Sequence, residues 1–121
     1  EIFFTQRDLR EVQLAKGAIQ AGLFTLLKEA QISIQDIETV FLAGGFGNFV
    51  NVQSACSVGL IPSELEKRVV RIGNGSGLGA KLCLLDKEQL ARGAKLKKAT
   101  RYIELATRSD FRDFFMDAML F

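Results

Sequence analysis

Twice in this chain a short apolar run empties into a cluster of glycines and then into a helical segment. Val40-Phe41-Leu42-Ala43 leads into Gly44-Gly45-Phe46-Gly47-Asn48, and Arg68-Val69-Val70-Arg71-Ile72 leads into Gly73-Asn74-Gly75-Ser76-Gly77-Leu78-Gly79. Glycine lets the chain take φ > 0 at such a junction, and its missing Cβ lets a ligand approach the backbone. A buried strand ending in a glycine turn is how α/β proteins bring backbone N–H groups against a nucleotide. In a parallel sheet both turns open at the carboxyl ends of the strands, where ligands of open α/β folds bind. The plain alternative is two tight connections whose glycines serve helix packing.

The rest of the chain fits around that pair. Thr5 with Asp8 three residues later reads as a helix N-cap and capping box. Leu9, Val12, Ala15, Ile19, Leu23, Leu26 and Leu27 then recur at helical spacing, which predicts one helix over 6–30. Gly17 and Gly22 within it cost about 1 kcal/mol each relative to alanine, which points to close packing or a ligand. Ser33 to Ile37 reads as a short helical turn, 39–43 as a strand, and Asn51 as the cap of a helix over 52–58 stopped by Gly59. Pro62 suits the first turn of another short helix. Helices are expected over about 77–85 and 86–99, strands at Ile2 to Phe4 and Tyr102 to Leu105, and a closing helix capped by Thr107 or Ser109. Strand and helix therefore alternate, which predicts an α/β fold with a mostly parallel sheet covered by helices. At 121 residues the chain is expected to form a single domain, 1–121.

Several chemistries are excluded. There is no histidine and there are only two cysteines, Cys56 and Cys83, far apart. A Ser-His-Asp triad, a zinc site and an iron–sulfur cluster therefore cannot be built from this chain alone. The cysteines read as free thiols of a reducing, cytoplasmic protein. No secretory signal pattern and no bilayer-length apolar run appear. A formal net charge of only +2 gives no electrostatic case for nucleic acid or a membrane as partner. The chain opens at Glu1 in mid-pattern, so it reads as a piece of a longer protein.

Two nucleotide fingerprints can be tested directly. The P-loop fails, because Lys81 follows Ala80 and Leu82 stands where Ser or Thr is required. Gly75-Ser76-Gly77-Leu78-Gly79-Ala80 fits the Rossmann spacing, but the acid expected about 20 residues later is replaced by Lys95-Leu96-Lys97-Lys98. The basic run from Lys87 to Arg101 reads as a solvated helix face. Phe111, Phe114, Phe115, Ala118 and Met119 have the spacing of a core-facing stripe. No carboxylates pair near the glycines, so neither a catalytic nor a metal-binding residue is nominated.

Taken in order, Gln13-Leu14-Ala15-Lys16-Gly17-Ala18-Ile19, Leu42-Ala43-Gly44-Gly45-Phe46-Gly47-Asn48, and Gly73-Asn74 with Gly77, Gly79 and Ala80 resemble the carboxyl-terminal part of the reductive activators of corrinoid proteins. Tyr102 to Thr107 and Asp110 to Phe121 resemble that family's tail. The resemblance implies a lobe of an actin-like (ribonuclease H-like) ATPase domain, in the superfamily of actin, Hsp70 and the sugar kinases. It implies that Gly44, Gly45, Phe46, Gly47 and Asn48 form the adenosine motif. Gly73, Asn74 and Gly77 would form a second glycine loop, and Lys16 and Gly17 would lie on the connecting helix of the site. It further implies ATP with Mg in the full-length protein and a 2Fe-2S cluster in an amino-terminal domain outside this chain. The parent would couple ATP hydrolysis to reduction of corrinoid cobalt from Co(II) to Co(I). The expected partners are the remainder of its own polypeptide and a corrinoid protein, with a homodimer as a further option. Alternatives are a lobe of a dehydratase or benzoyl-CoA reductase activator, or a non-catalytic docking or dimerisation module. The last would show an exposed stripe of Phe111, Phe114 and Phe115.

Overall fold

A computed structural model of the chain describes residues 3–120, apart from the Phe46 side chain. The described residues form six α-helices and two strands: α1 Gln6–Ala30, β1 Val40–Ala43, α2 Gly44–Phe49, α3 Val52–Ser57, β2 Val69–Gly73, α4 Gly75–Leu85, α5 Lys87–Ala99 and α6 Ser109–Ala118. Two 3-10 turns, Ile34–Asp36 and Ser63–Arg68, precede the strands. β1 and β2 are neighbours in a parallel two-stranded sheet, so the α/β alternation holds with helix predominating. The chain divides into two compact units. One comprises Glu1–Val40, Val50–Val69 and Leu105–Phe121, and the other comprises Phe41–Phe49 and Val70–Glu104.

In the first unit α1 begins where its cap predicts. The Asp8 N–H donates to Thr5 Oγ1 at 3.2 Å and the Thr5 N–H donates to Asp8 Oδ2 at 2.8 Å. The helix ends at Gln31 in the left-handed conformation (φ 55°). α6 lies along α1. Gly17 permits the approach, since a Cβ there would stand 3.1 Å from Met119 Cγ and 3.3 Å from Phe115 Cε2. Phe24 and Phe114 meet with ring centroids 6.0 Å apart, inside the range of favourable aromatic pairs. Phe111, Phe114 and Phe115 are all half-buried, so the exposed stripe of a docking module is not what this helix presents. A second cluster gathers around Leu65, Ala55 and Ile61, with Leu23, Ile34, Ile37, Val40, Val50 and Val69 packed against it. Arg68 Nη1 donates to the carbonyls of Gln35 (2.9 Å) and Ile34 (3.3 Å), tying the two 3-10 turns together.

The end of α6 is anchored and its start is clamped. Gln13 Nε2 donates to the Met119 carbonyl at 3.2 Å. Arg108 forks onto Asp110 (Nε–Oδ1 2.9 Å, Nη2–Oδ2 2.8 Å) and reaches Glu29 at 2.9 Å, while Lys28 stands 3.1 Å from Asp110. This corrects the expected cap: Arg108, not Thr107 or Ser109, occupies the N-cap position and makes no side-chain cap bond. Its guanidinium is committed to carboxylates instead, and Asp110 Oδ1 accepts from the Phe111 N–H at 3.0 Å. The Arg108 fork, ahead of Lys28, holds the Asp110 carboxyl well below the usual carboxylate range. A depressed folded-state pKa contributes stability that is present above the unfolded value of about 4 and is lost as pH falls toward the folded one. Acid destabilisation is therefore expected to begin below about pH 4. Asp110→Asn should flatten that limb of a stability–pH curve measured by urea denaturation; an unchanged limb would refute the clamp.

Two expected strands do not form. The first would begin at Ile2, outside the described residues, and Phe3 and Phe4 carry no strand. Tyr102 to Leu105 runs without a ladder. A strand exists only by pairing. Here the Tyr102 hydroxyl donates to Glu104 Oε2 at 2.6 Å, and Leu105 is taken up against Gly22 of α1.

In the second unit, β1 and β2 hand the chain directly to helices. α4 starts at Asn74, whose Oδ1 accepts from the Gly77 N–H at 2.9 Å, and α5 starts at Asp86, whose Oδ1 accepts from the Glu88 N–H at 2.8 Å. Neither α4 nor α5 contains a buried residue. α4 leaves Leu78, Leu82, Leu84 and Leu85 exposed, Leu84 to 87%. Among the described residues no helix is long and apolar enough to cross a membrane.

Candidate functional site

Gly44 follows β1 directly with φ +91°, and Gly73 closes β2 with φ +61°. The first value is one that side chains other than glycine's take only with strain, and the second lies in the left-handed region that favours glycine, so each strand reverses into its helix within one residue. The expected loop 44–48 is in fact the body of a short helix, α2, and Gly75, Gly77 and Gly79 lie inside α4. Both are strand-to-helix junctions rather than open turns.

The two junctions meet. A Cβ on Gly73 would lie 3.7 Å from Asn48 Oδ1 and 3.8 Å from its Nδ2, and one on Gly75 would lie 3.9 Å from Ala43 Cβ. Asn48, the last residue of the first motif, thus sets its amide against the first glycine of the second. Of the nominated residues, Gly44, Gly45, Phe46, Gly47 and Asn48 are brought together with Gly73, Asn74 and Gly77 in one unit.

The glycines serve different ends. A Cβ on Gly77 would fall 2.7 Å from the Asn74 amide nitrogen, so Gly77 is glycine because Asn74 folds over it as the helix cap. At Gly47 a Cβ would meet Leu42 Cγ at 3.0 Å, which makes that glycine a packing residue. Gly44 and Gly45 have nothing within 4 Å of the Cβ position. The structure supplies no neighbour that explains a bare backbone at Gly45, and its φ is not positive.

Lys16 and Gly17 belong to the other unit, and both are engaged there. Lys16 is only 4% exposed, and its Nζ donates to the Leu120 carbonyl. Gly17 lies against Met119 and Phe115. Sequence reasoning missed the dual use of Asn74 as cap and motif residue. The signal was present, since Asn before a glycine-rich helix start is a strong N-cap.

The nearest chemistry beyond the glycines is sparse. Cys56 is half-buried in the first unit, where burial, and secondarily the Glu66 charge, pushes its thiol up. Cys83 lies on α4 in the second unit. Among the described residues no group of three or more metal-ligating side chains is gathered.

Comparison with known proteins gives this geometry a family. The corrinoid activation enzyme RamQ of Eubacterium limosum is 40% identical over 121 residues, which is all of this chain and 20% of that protein. The Co(II) methylated amine-specific corrinoid protein reductase of Methanosarcina barkeri is 32% identical over 117 residues, 95% of this chain and 22% of that protein. A solved structure of a reductive activator for corrinoid, iron-sulfur protein superposes with a TM-score of 0.85 at 32% identity, covering 96% of this chain and 18% of that one. The chain thus spans about a fifth of the length of the relatives it matches. Its residues 1–121 match the family described as the C-terminal domain of RACo, the ASKHA domain, and to that family the chain belongs.

Proposed function

We propose that this chain is the adenosine-binding lobe, the carboxyl-terminal part of a larger actin-like ATPase domain, in a protein that activates a corrinoid protein by reducing its cobalt from Co(II) to Co(I). The observation that carries the reading is the joined pair of glycine junctions, with free space over Gly44 and Gly45 and Asn48 set against Gly73. Such a bare backbone suits the flat face and ribose of a nucleoside, which ordinary side chains would keep at a distance. Gly44, Gly45 and Asn48 would hold the adenosine, with Phe46, Gly47, Gly73, Asn74 and Gly77 shaping the junction around it. α1, with Lys16 and Gly17, would be the connecting helix that carries α6. ATP with Mg would supply the free energy that makes a low-potential, one-electron reduction favourable.

The remaining parts of the reading lie outside this chain. A 2Fe-2S cluster takes four ligands, usually cysteines, and the two cysteines here sit in different units. The cluster would be held by an amino-terminal domain of the same polypeptide, in the cytoplasm. The exposed leucines of α4 support the remainder of that polypeptide as the first partner, because such leucines on a helix normally face a packed neighbour. A homodimer would have to compete for the same surface. Dehydratase and benzoyl-CoA reductase activators share the expected fold, but the relatives at 40% and 32% identity are named for corrinoid proteins.

The test is direct. The full-length parent, its corrinoid protein and a one-electron donor are mixed anaerobically, and cobalt oxidation state is followed by visible absorbance. Co(I) is expected to accumulate with Mg-ATP and not with a non-hydrolysable analogue. Equal Co(I) formation with and without nucleotide would overturn the reading.

A further inference from the structure

Charge in this chain is segregated to a degree that the modest net value hides. Between Lys87 and Arg101 there are six basic residues and one acidic residue, whereas the remainder of the chain has ten basic and thirteen acidic ones. By unit, the one built from Phe41–Phe49 and Val70–Glu104 has eight basic and three acidic residues, and the other has eight and eleven. The excess is concentrated on α5. At 3.6 residues per turn, Lys87, Arg92, Lys95 and Lys98 fall within roughly 140° of arc. Leu90 and Gly93, together with Lys97, lie on the opposite side, and Ala94 borders the arc beside Lys87.

These cations are exposed, and no ion pair among the described residues neutralises them. The network of Lys28, Glu29, Arg108 and Asp110, by contrast, lies in the other unit. A helix in need only of solubility would mix its signs, with Glu four residues before Lys or Arg. Here a single Glu88 faces four cations. Arg92 and Lys95 also border an open hollow of about 450 Å³ with Glu88, Gln89 and Ala91.

Resting on the functional reading above, we propose that the exposed arc Lys87, Arg92, Lys95 and Lys98 of α5 is the surface on which this lobe receives its protein substrate, through a carboxylate-rich patch on the corrinoid protein. Charge complementarity selects the occupant. A lipid surface is disfavoured because α5 offers only Leu90 and Leu96 for insertion and no aromatic anchor. Single-stranded nucleic acid is disfavoured because α5 has no ring for stacking, and the neighbouring Tyr102 hydroxyl is bonded to the Glu104 carboxylate. A protein partner that must bind, be reduced and leave is suited to a charged contact, which speeds encounter more than it prolongs residence. The surface is an encounter site.

The test uses the full-length activator with two triple variants, Arg92→Glu/Lys95→Glu/Lys98→Glu and Arg92→Gln/Lys95→Gln/Lys98→Gln. The second keeps helix propensity and avoids new acids near the helix carboxyl end. Association with the corrinoid protein is followed by stopped flow at about 50 and about 300 mM salt, because screening is the diagnostic. Charge reversal is expected to slow association by roughly tenfold or more at low salt and to flatten its salt dependence, with the glutamine variant between. ATP affinity and ATP hydrolysis should be unchanged. Wild-type association rates in both folded variants would overturn the proposal. So would loss of binding to phosphatidylserine vesicles or a single-stranded DNA oligonucleotide with corrinoid-protein association intact, and each would name a different occupant. A wild-type activator that hydrolyses ATP yet never binds the corrinoid protein would instead refute the functional reading on which the proposal stands.

Discussion

Gly45→Leu in the full-length parent is expected to weaken ATP binding by roughly a hundredfold while leaving the lobe folded. Three glycines of one motif would fail for three different reasons, and only this one isolates the ligand. At Gly44 the backbone φ of +91° penalises any side chain, so a substitution strains the β1–α2 junction itself. At Gly47 a Cβ would stand 3.0 Å from Leu42 Cγ, so a larger residue displaces a packed neighbour. At Gly45 the backbone is helical, φ is not positive, and no atom lies within 4 Å of the Cβ position. Leucine there gains helix propensity over glycine, by roughly 0.8 kcal/mol, and meets nothing in the chain. On the proposed reading, a loss would come from the space the nucleotide would occupy, where a misplaced side chain costs about 1–3 kcal/mol. The upper end corresponds to roughly a hundredfold in Kd. Calorimetry with ATP, beside circular dichroism of the same samples, checks it. A folded variant with wild-type affinity would remove Gly45 from the nucleotide site. An unfolded one would assign Gly45 to the fold.

How far such distinctions were legible in the sequence depends on where the decisive interaction lies. α1 was readable from end to end, because Thr5, Asp8 and a 3–4 apolar repeat are local signals. The Asn51 cap was readable for the same reason. The strand expected at Tyr102 to Leu105 was not, since a β-prone tetrapeptide becomes a strand only beside a partner, and here its last residue is drawn to Gly22. The cap of α6 was misread because the Arg108 fork onto Asp110 and Glu29 joins residues 79 positions apart. No window along the chain contains that contact. The glycine clusters pointed to a special backbone, but only coordinates separate Gly77, which makes room for its own cap, from Gly45, which makes room for nothing in the chain.

The largest effect on stability is expected from Leu65→Ala. Leu65 sits in a six-residue 3-10 turn between Glu64 and Glu66. It is nonetheless 1% exposed and, with Thr25, among the most enclosed large side chains of the described residues. The turn holds it inward through the Leu65 N–H to Pro62 carbonyl bond at 3.0 Å. It forms a cluster with Ala55 and Ile61, against which Leu23, Ile34, Ile37, Val50 and the leading residues of both strands, Val40 and Val69, pack. Those neighbours come from six separate segments, so no single shift can close the space that alanine would leave. Truncation of a leucine in such a setting costs about 2–5 kcal/mol, and the upper half is expected here. Against a net stability of roughly 5–15 kcal/mol, that loss should lower the urea midpoint severely. Leu65→Met, which keeps the volume, should cost less than about 1.5 kcal/mol. Equal midpoints for the alanine and methionine variants would mean that the cluster collapses around the gap.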